Sequence, residues 1–179
     1  MAEARMTMQH EIESRASESP IDSFFGLTRS ELHAIEVLGF QLYEQGRNVE
    51  AQAIFQGLIA LDRKMYQGYA GMGALALAEQ KLEEAADWLT KAVERNSNDP
   101  TVQANLGETL LRLGRFEPAA AAFEKALQLD PEKKDQGANR ARAIVSGMKF
   151  VIQEVQKAGK ETHGQNAEAK QLGPSYSDK

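Results

Sequence analysis

Between Leu32 and Lys133 the apolar residues recur at helical spacing, i, i+3 and i+4, in short blocks separated by small polar turns. The pattern predicts six helices, followed by a seventh. The blocks themselves repeat. Leu32–Met65, Tyr66–Asp99 and Pro100–Lys133 align without a gap. One column reads Gly39, Gly73, Gly107, preceded by Leu38, Met72, Leu106. A second reads Ala51, Ala85, Ala119, with Phe55, Leu89, Phe123 and then Leu58, Ala92, Ala126 one helical step apart. Small residues in register let two helices approach closely, and the large ones fill the space between pairs. Each block is therefore expected to be a helical hairpin. Gly46 and Gly114 stand at the turns, where a positive φ is often needed. Gln80 holds that place in the second block, and a different turn geometry is expected there.

The flanks are read in the same way. Thr28-x-x-Glu31 is a capping box that opens the first helix. Residues 1–27 form a variable N-terminal segment, disordered or dimerising, with an apolar patch at Phe24, Phe25 and Leu27. Residues 28–157 make the repeat domain. After Pro131, residues 135–157 carry Ile144, Val145, Met148, Val151, Ile152 and Val155 on one stripe, with Phe150 off it. Stacked repeats need a terminal helix to cover the last of them, so 135–157 is expected to be a cap. Residues 158–179 are polar, with three glycines and a proline, and are expected to be a disordered tail.

Composition removes whole classes of chemistry. The 179 residues include no cysteine, which excludes disulfides, thiolate metal sites and a cysteine nucleophile. The net charge of −5 argues against a nucleic-acid surface. No apolar run is long enough for a membrane span, and the N-terminus lacks a secretory h-region. His10, His33 and His163 are far apart and in no ligand spacing. Gly68–Gly73 looks like a phosphate loop, but it falls inside a repeat helix and no Gly-Lys-Ser/Thr follows. The reading is a cytoplasmic protein with no catalytic site, cofactor or metal.

The glycine, alanine and apolar columns resemble those of tetratricopeptide repeats, whose period is about 34 residues. The resemblance implies an all-α fold: three helical hairpins forming a short superhelical solenoid, with a C-terminal capping helix. It also implies that the first helix of each hairpin lines a concave groove. On that basis the peptide-facing residues are Phe40, Tyr43, Ala70, Ala74, Leu77, Glu108 and Leu111, within a wider inner face that includes His33, Glu36, Gln67, Ala78, Thr101, Ala104, Asn105 and Arg112. Small residues form the floor between Phe40 and Tyr43 on one side and Leu111 on the other. Phe40 and Tyr43 are alternatively ordinary core. The Lys/Arg/Asn set by which some such domains hold a C-terminal carboxylate is missing; Glu36, Phe40, Ala70 and Ala104 stand in those places.

A narrower resemblance covers about residues 28–155. Leu38-Gly-Phe40-Gln-Leu-Tyr43-Glu-Gln-Gly46-Arg47, Ala53-Ile-Phe55-Gln-Gly-Leu58-Ile-Ala-Leu61-Asp62 and Gly71-Met-Gly73-Ala74 are similar to segments of class II chaperones of bacterial type III secretion. Glu36 stands where that family has an aromatic residue. The resemblance implies a secretion chaperone whose partners are secreted translocators, held as an extended segment in the groove, and which forms a weak homodimer through its N-terminal segment, lost on deleting residues 1–27. The alternative is a repeat adaptor in a regulatory or assembly complex.

Overall fold

The computed structural model describes residues 26–171, with side chains described for residues 26–157. Among these residues the chain is helical throughout, with no strand. The helices are α1 Arg29–Glu44, α2 Asn48–Leu61, α3 Tyr66–Ala78, α4 Leu82–Arg95, α5 Pro100–Arg112, α6 Phe116–Leu129 and α7 Gln136–Gln171. α1/α2, α3/α4 and α5/α6 are hairpins, stacked so that α1, α3, α5 and α7 are successive neighbours in one layer. The fold is a three-hairpin solenoid closed by α7. The N-terminal patch at Phe24 and Phe25, with the dimerisation expected of it, lies outside the described residues.

The hairpins close where a side chain would not fit. A Cβ on Gly39 would lie 2.8 Å from Ile54 and Phe55, one on Gly73 2.6 Å from Leu89, and one on Gly107 2.7 Å from Phe123. The facing residues Ala51, Phe55, Ala85, Leu89, Ala119 and Phe123 are all buried. Gly71, which the repeat columns do not mark, sits still closer, its Cβ position 2.3 Å from the Phe55 ring. Phe55 thus fills the space between the first two hairpins, and only glycine lets α3 pass over it.

All three intra-hairpin turns have one geometry. Gly46 and Gly114 have φ of 73° and Gln80 has φ of 61°. In each turn this residue donates its N–H to the carbonyl three back, and the next residue to the carbonyl five back. The three turns are therefore Schellman closures. The different geometry expected at Gln80 is not found. The helix-ending hydrogen bonds dictate the left-handed conformation, and Gln80 adopts it at a steric cost of about 1–2 kcal/mol.

The start of α1 is capped by Thr28 and Glu31, each side chain bonded to the other's backbone N–H. The joints between hairpins are polar. Tyr66 donates its hydroxyl to Asp99 at 3.0 Å, and Asp99 caps α5 by accepting from the Val102 N–H at 2.9 Å. Burial, followed by the Asp99 charge, pushes the Tyr66 phenol up to about 12. The same joint recurs one repeat later. Thr101 donates to Asp135, which accepts from the Ala138 N–H at the start of α7. Gly137 packs on Thr101, its Cβ position 2.6 Å from the hydroxyl oxygen. Arg142 then pairs with buried Asp130 at 2.8 Å. The Arg142 hydrogen bond holds the Asp130 carboxyl below the usual range.

α7 corrects two expectations. It runs to Gln171, so residues 158–171 are helical rather than a disordered tail. Gly159 and Gly164 each disfavour helix by about 1 kcal/mol, but the Ala, Glu, Lys and Gln residues around them favour it. The stripe is also only half used. Ala141 is buried and Ile144, Val145 and Met148 pack on the last repeat, whereas Val151, Ile152 and Val155 stay exposed.

Glycine substitutions separate packing from propensity. Gly71→Ala is expected to destabilise the fold by roughly 1–3 kcal/mol through overpacking. Gly57→Ala, with nothing within 4 Å of its Cβ position, is expected to stabilise by about 0.5–1 kcal/mol. Gln80→Gly should also stabilise, since it relieves the left-handed strain. Thermal unfolding checks all three, at about 2–4 °C per kcal/mol. Tyr66 yields a pH prediction. Its folded pKa lies above the ordinary value of 10, so its contribution is complete below pH 10 and lost as pH rises through about 12. Tyr66→Phe should therefore lose less stability than wild type between those values in alkaline denaturation.

Candidate functional site

The inner faces of α1, α3 and α5, closed at one end by α7, enclose a groove of about 440 Å³. Its two halves differ in chemistry. The apolar half is made by Phe40 and Tyr43 of α1 and by Ala74, Leu77 and Ala78 of α3. Phe40 is half-buried, with its ring 5.0 Å from that of Phe55 at an angle of 59°. One edge of Phe40 therefore belongs to the core and the other to the groove, so the two readings of this residue both apply. Gly73 lets α3 lie close to α4, and Ala74 beside it keeps the groove floor low. The i, i+3 and i+4 steps through Ala74, Leu77 and Ala78 put all three on one side of α3.

The polar half is built around Glu108. It accepts from Arg112 at 2.5 Å and from Arg140 at 3.1 Å, and Arg140 also donates to the buried Asn105 amide oxygen. Arg112 donates to Gln80 at 3.4 Å. Two guanidinium groups thus converge on one carboxylate at the end of the groove where α7 crosses it. Thr101 and Gln136 complete this wall.

Five of the seven residues expected to face a peptide, Phe40, Tyr43, Ala74, Leu77 and Glu108, line this groove. The other two lie elsewhere. Ala70 is buried in the core beneath it. Leu111 lines a different groove, between α6 and α7. Leu111 faces α6 and α7, so the far apolar wall expected there is replaced by Arg112 and Arg140. His33, Glu36 and Gln67 border a separate polar pocket of about 330 Å³ with Asp62 and Lys64. Gln80, Gln136 and Arg140 were not foreseen as groove residues. A signal for Arg140 did exist: it follows Glu108 by 32 residues, the separation that also joins Arg112 to Gln80 and Arg115 to Glu83.

Among the described residues no cluster of three or more His, Cys, Asp or Glu side chains could hold a metal ion. No described helix is long and apolar enough to cross a membrane.

Stacked helical hairpins around a concave, ligand-sized groove define a repeat-built binding scaffold. Models of the tetratricopeptide repeat match residues 42–107 and 100–133. Together these matches run without a break from 42 to 133, and the chain belongs to the tetratricopeptide-repeat family. No curated protein matches the sequence significantly. Several solved structures are similar in fold. PcrH from Pseudomonas aeruginosa is 28% identical, with a TM-score of 0.58, covering 68% of this chain and 93% of its own. PcrH in complex with the chaperone binding region of PopB is 29% identical, with a TM-score of 0.56, covering 66% of this chain and 97% of its own. The type III secretion translocator chaperone SycD of Yersinia enterocolitica is 20% identical, with a TM-score of 0.62, covering 73% of this chain and 99% of its own.

Proposed function

We propose that this protein is a cytoplasmic, non-catalytic chaperone of type III secretion translocators, which holds an extended segment of its client in the concave groove. The observation that carries the reading is the groove's apolar half. There a half-buried aromatic pair stands over a floor of small residues, all set on helices rather than loops. Such a wall and floor suit one or two apolar side chains of an extended peptide, and the adjacent polar half offers hydrogen bonds to the flanking backbone. The likeness to PcrH, solved with the chaperone binding region of PopB, supports a client of the same kind.

Binding anchored in this way has a definite signature. Aromatic anchors in such sites are commonly worth about 2 kcal/mol or more, or roughly thirtyfold in affinity. Phe40→Ala should weaken binding of the co-purified client by at least that factor. Ala74→Phe should abolish binding by filling the floor. Arg29 and Lys64 substitutions, outside the groove, should leave it unchanged. The check is a calorimetric titration of each variant, with helicity confirmed by circular dichroism. Equal affinities for folded wild type, Phe40→Ala and Ala74→Phe would exclude the concave groove as the client site.

A further inference from the structure

The polar end of the concave groove holds more hydrogen-bond donors than its own side chains use. Both carboxylate oxygens of Glu108 are taken, one by Arg112 and the other by Arg140. The Asn105 amide oxygen accepts from Arg140 Nη2, and Asp135 is occupied by Thr101 and the Ala138 N–H. The arginines are not exhausted. Arg140 Nη1 and Arg112 Nε have no partner among the described residues, and a guanidinium offers donors only. Exposure divides in the same way: the Arg112 and Arg140 side chains are 40% and 49% exposed, that of Glu108 14%. Two cations on one shielded anion leave this end net positive, in a chain whose net charge is −5. Glu44, the groove's other carboxylate, is on α1, at the apolar end.

We infer that this end is a subsite for a carboxylate carried by the bound segment, beside the apolar anchor site of Phe40, Tyr43 and Ala74. Resting on the groove as the client site, the subsite adds a second determinant of which segment is held. A planar guanidinium meets a carboxylate with parallel N–H donors, and a pair of them held by a shared anion is already oriented to do so. Gln80 points the same way. The equivalent turns have Gly46 and Gly114 at positive φ, and Gln80 keeps this conformation in spite of its side chain. That side chain lines the groove, and its Oε1 accepts from Arg112 at 3.4 Å. A strained residue standing where glycine would be free of strain, and touching a groove cation, points to a role in binding. The arginines are not at the places where other repeat domains hold a C-terminal carboxylate, which carry Glu36, Phe40, Ala70 and Ala104. Neighbouring helix axes lie about 8–10 Å apart and an extended chain advances about 3.3 Å per residue, so an acid held by α5 and α7 falls about five or six residues from an apolar anchor between α1 and α3.

The probe is the tightest-binding of a set of short overlapping peptides that tile the co-purified client, titrated against the full chain by fluorescence anisotropy. It is expected to carry an acidic side chain, or its own C-terminal carboxylate, about five or six residues from an apolar residue. Replacing the acid by its amide, or the terminal carboxylate by a carboxamide, distinguishes the two sources. The change that removes the bound carboxylate should weaken binding about tenfold. Arg112→Gln combined with Arg140→Gln should cost the acidic peptide a similar factor and leave the amide peptide unaffected. Glu108→Gln should have the opposite sign and tighten the acidic peptide several-fold, because it removes the competing anion; a folding defect would not do so. Gln80→Gly should weaken the acidic peptide while raising the melting temperature. A tightest peptide without a carboxylate, or an acid-to-amide change without effect while Phe40→Ala still weakens binding, would overturn the subsite and leave the groove as the client site. Equal binding by folded wild type and Phe40→Ala would overturn both.

Discussion

Each hairpin depends on two helices meeting at a distance that admits no side chain on one of them. Gly39, Gly73 and Gly107 present bare backbone to Phe55, Leu89 and Phe123, and these three large residues are buried as a result. Burying each stabilises the fold by about 1.5–3 kcal/mol relative to exposure, and that gain exceeds the helix penalty of about 1 kcal/mol for each glycine. Close approach also determines where the remaining surfaces go. With α3 drawn against α4 at Gly73, its other side is left facing inward, with Ala74, Leu77 and Ala78 as the groove floor.

The joints between hairpins are made at a near-constant separation along the chain. Tyr66 reaches Asp99 across 33 residues, Thr101 reaches Asp135 across 34, and Arg140 reaches Glu108 across 32. Each pair joins a hairpin to the next, and the last two tie α7 to α5 as if it began a fourth repeat. This explains why the capping helix supplies groove residues. In its first turns it occupies the place of a first helix, and its inward side chains, Gln136 and Arg140, fall where an inner face belongs.

The hairpins and their register could be read from the sequence because their determinants are local and repeated. A glycine, an alanine and a large apolar residue at fixed offsets, three times over, leave little freedom. The groove was legible only in part. Phe40, Tyr43, Ala74 and Leu77 follow from the resemblance to tetratricopeptide repeats, whose first helices line the groove, but the polar half depends on α7, which is tied to α5 by the Thr101–Asp135 and Gly137 contacts. No pattern in α5 alone announces that Arg140 will meet Glu108. The turn at Gln80 misled because residue type was taken as a guide to φ, whereas hydrogen bonding at the helix end decides it. The length of α7 was hidden by Gly159 and Gly164, whose penalties are small beside the helix-forming residues that surround them.

The central claim is that the client lies in the concave groove, against α1 and α3. The chain has no cysteine, so a single introduced thiol can carry a photo-crosslinker. Ala78, in the groove, and Ala120, in the α6–α7 groove, are both exposed and small. Illumination of the client complex labelled at Ala78→Cys should crosslink this chain to the client, and the same complex labelled at Ala120→Cys should not. Client crosslinked from Ala120→Cys and absent from Ala78→Cys would contradict the account.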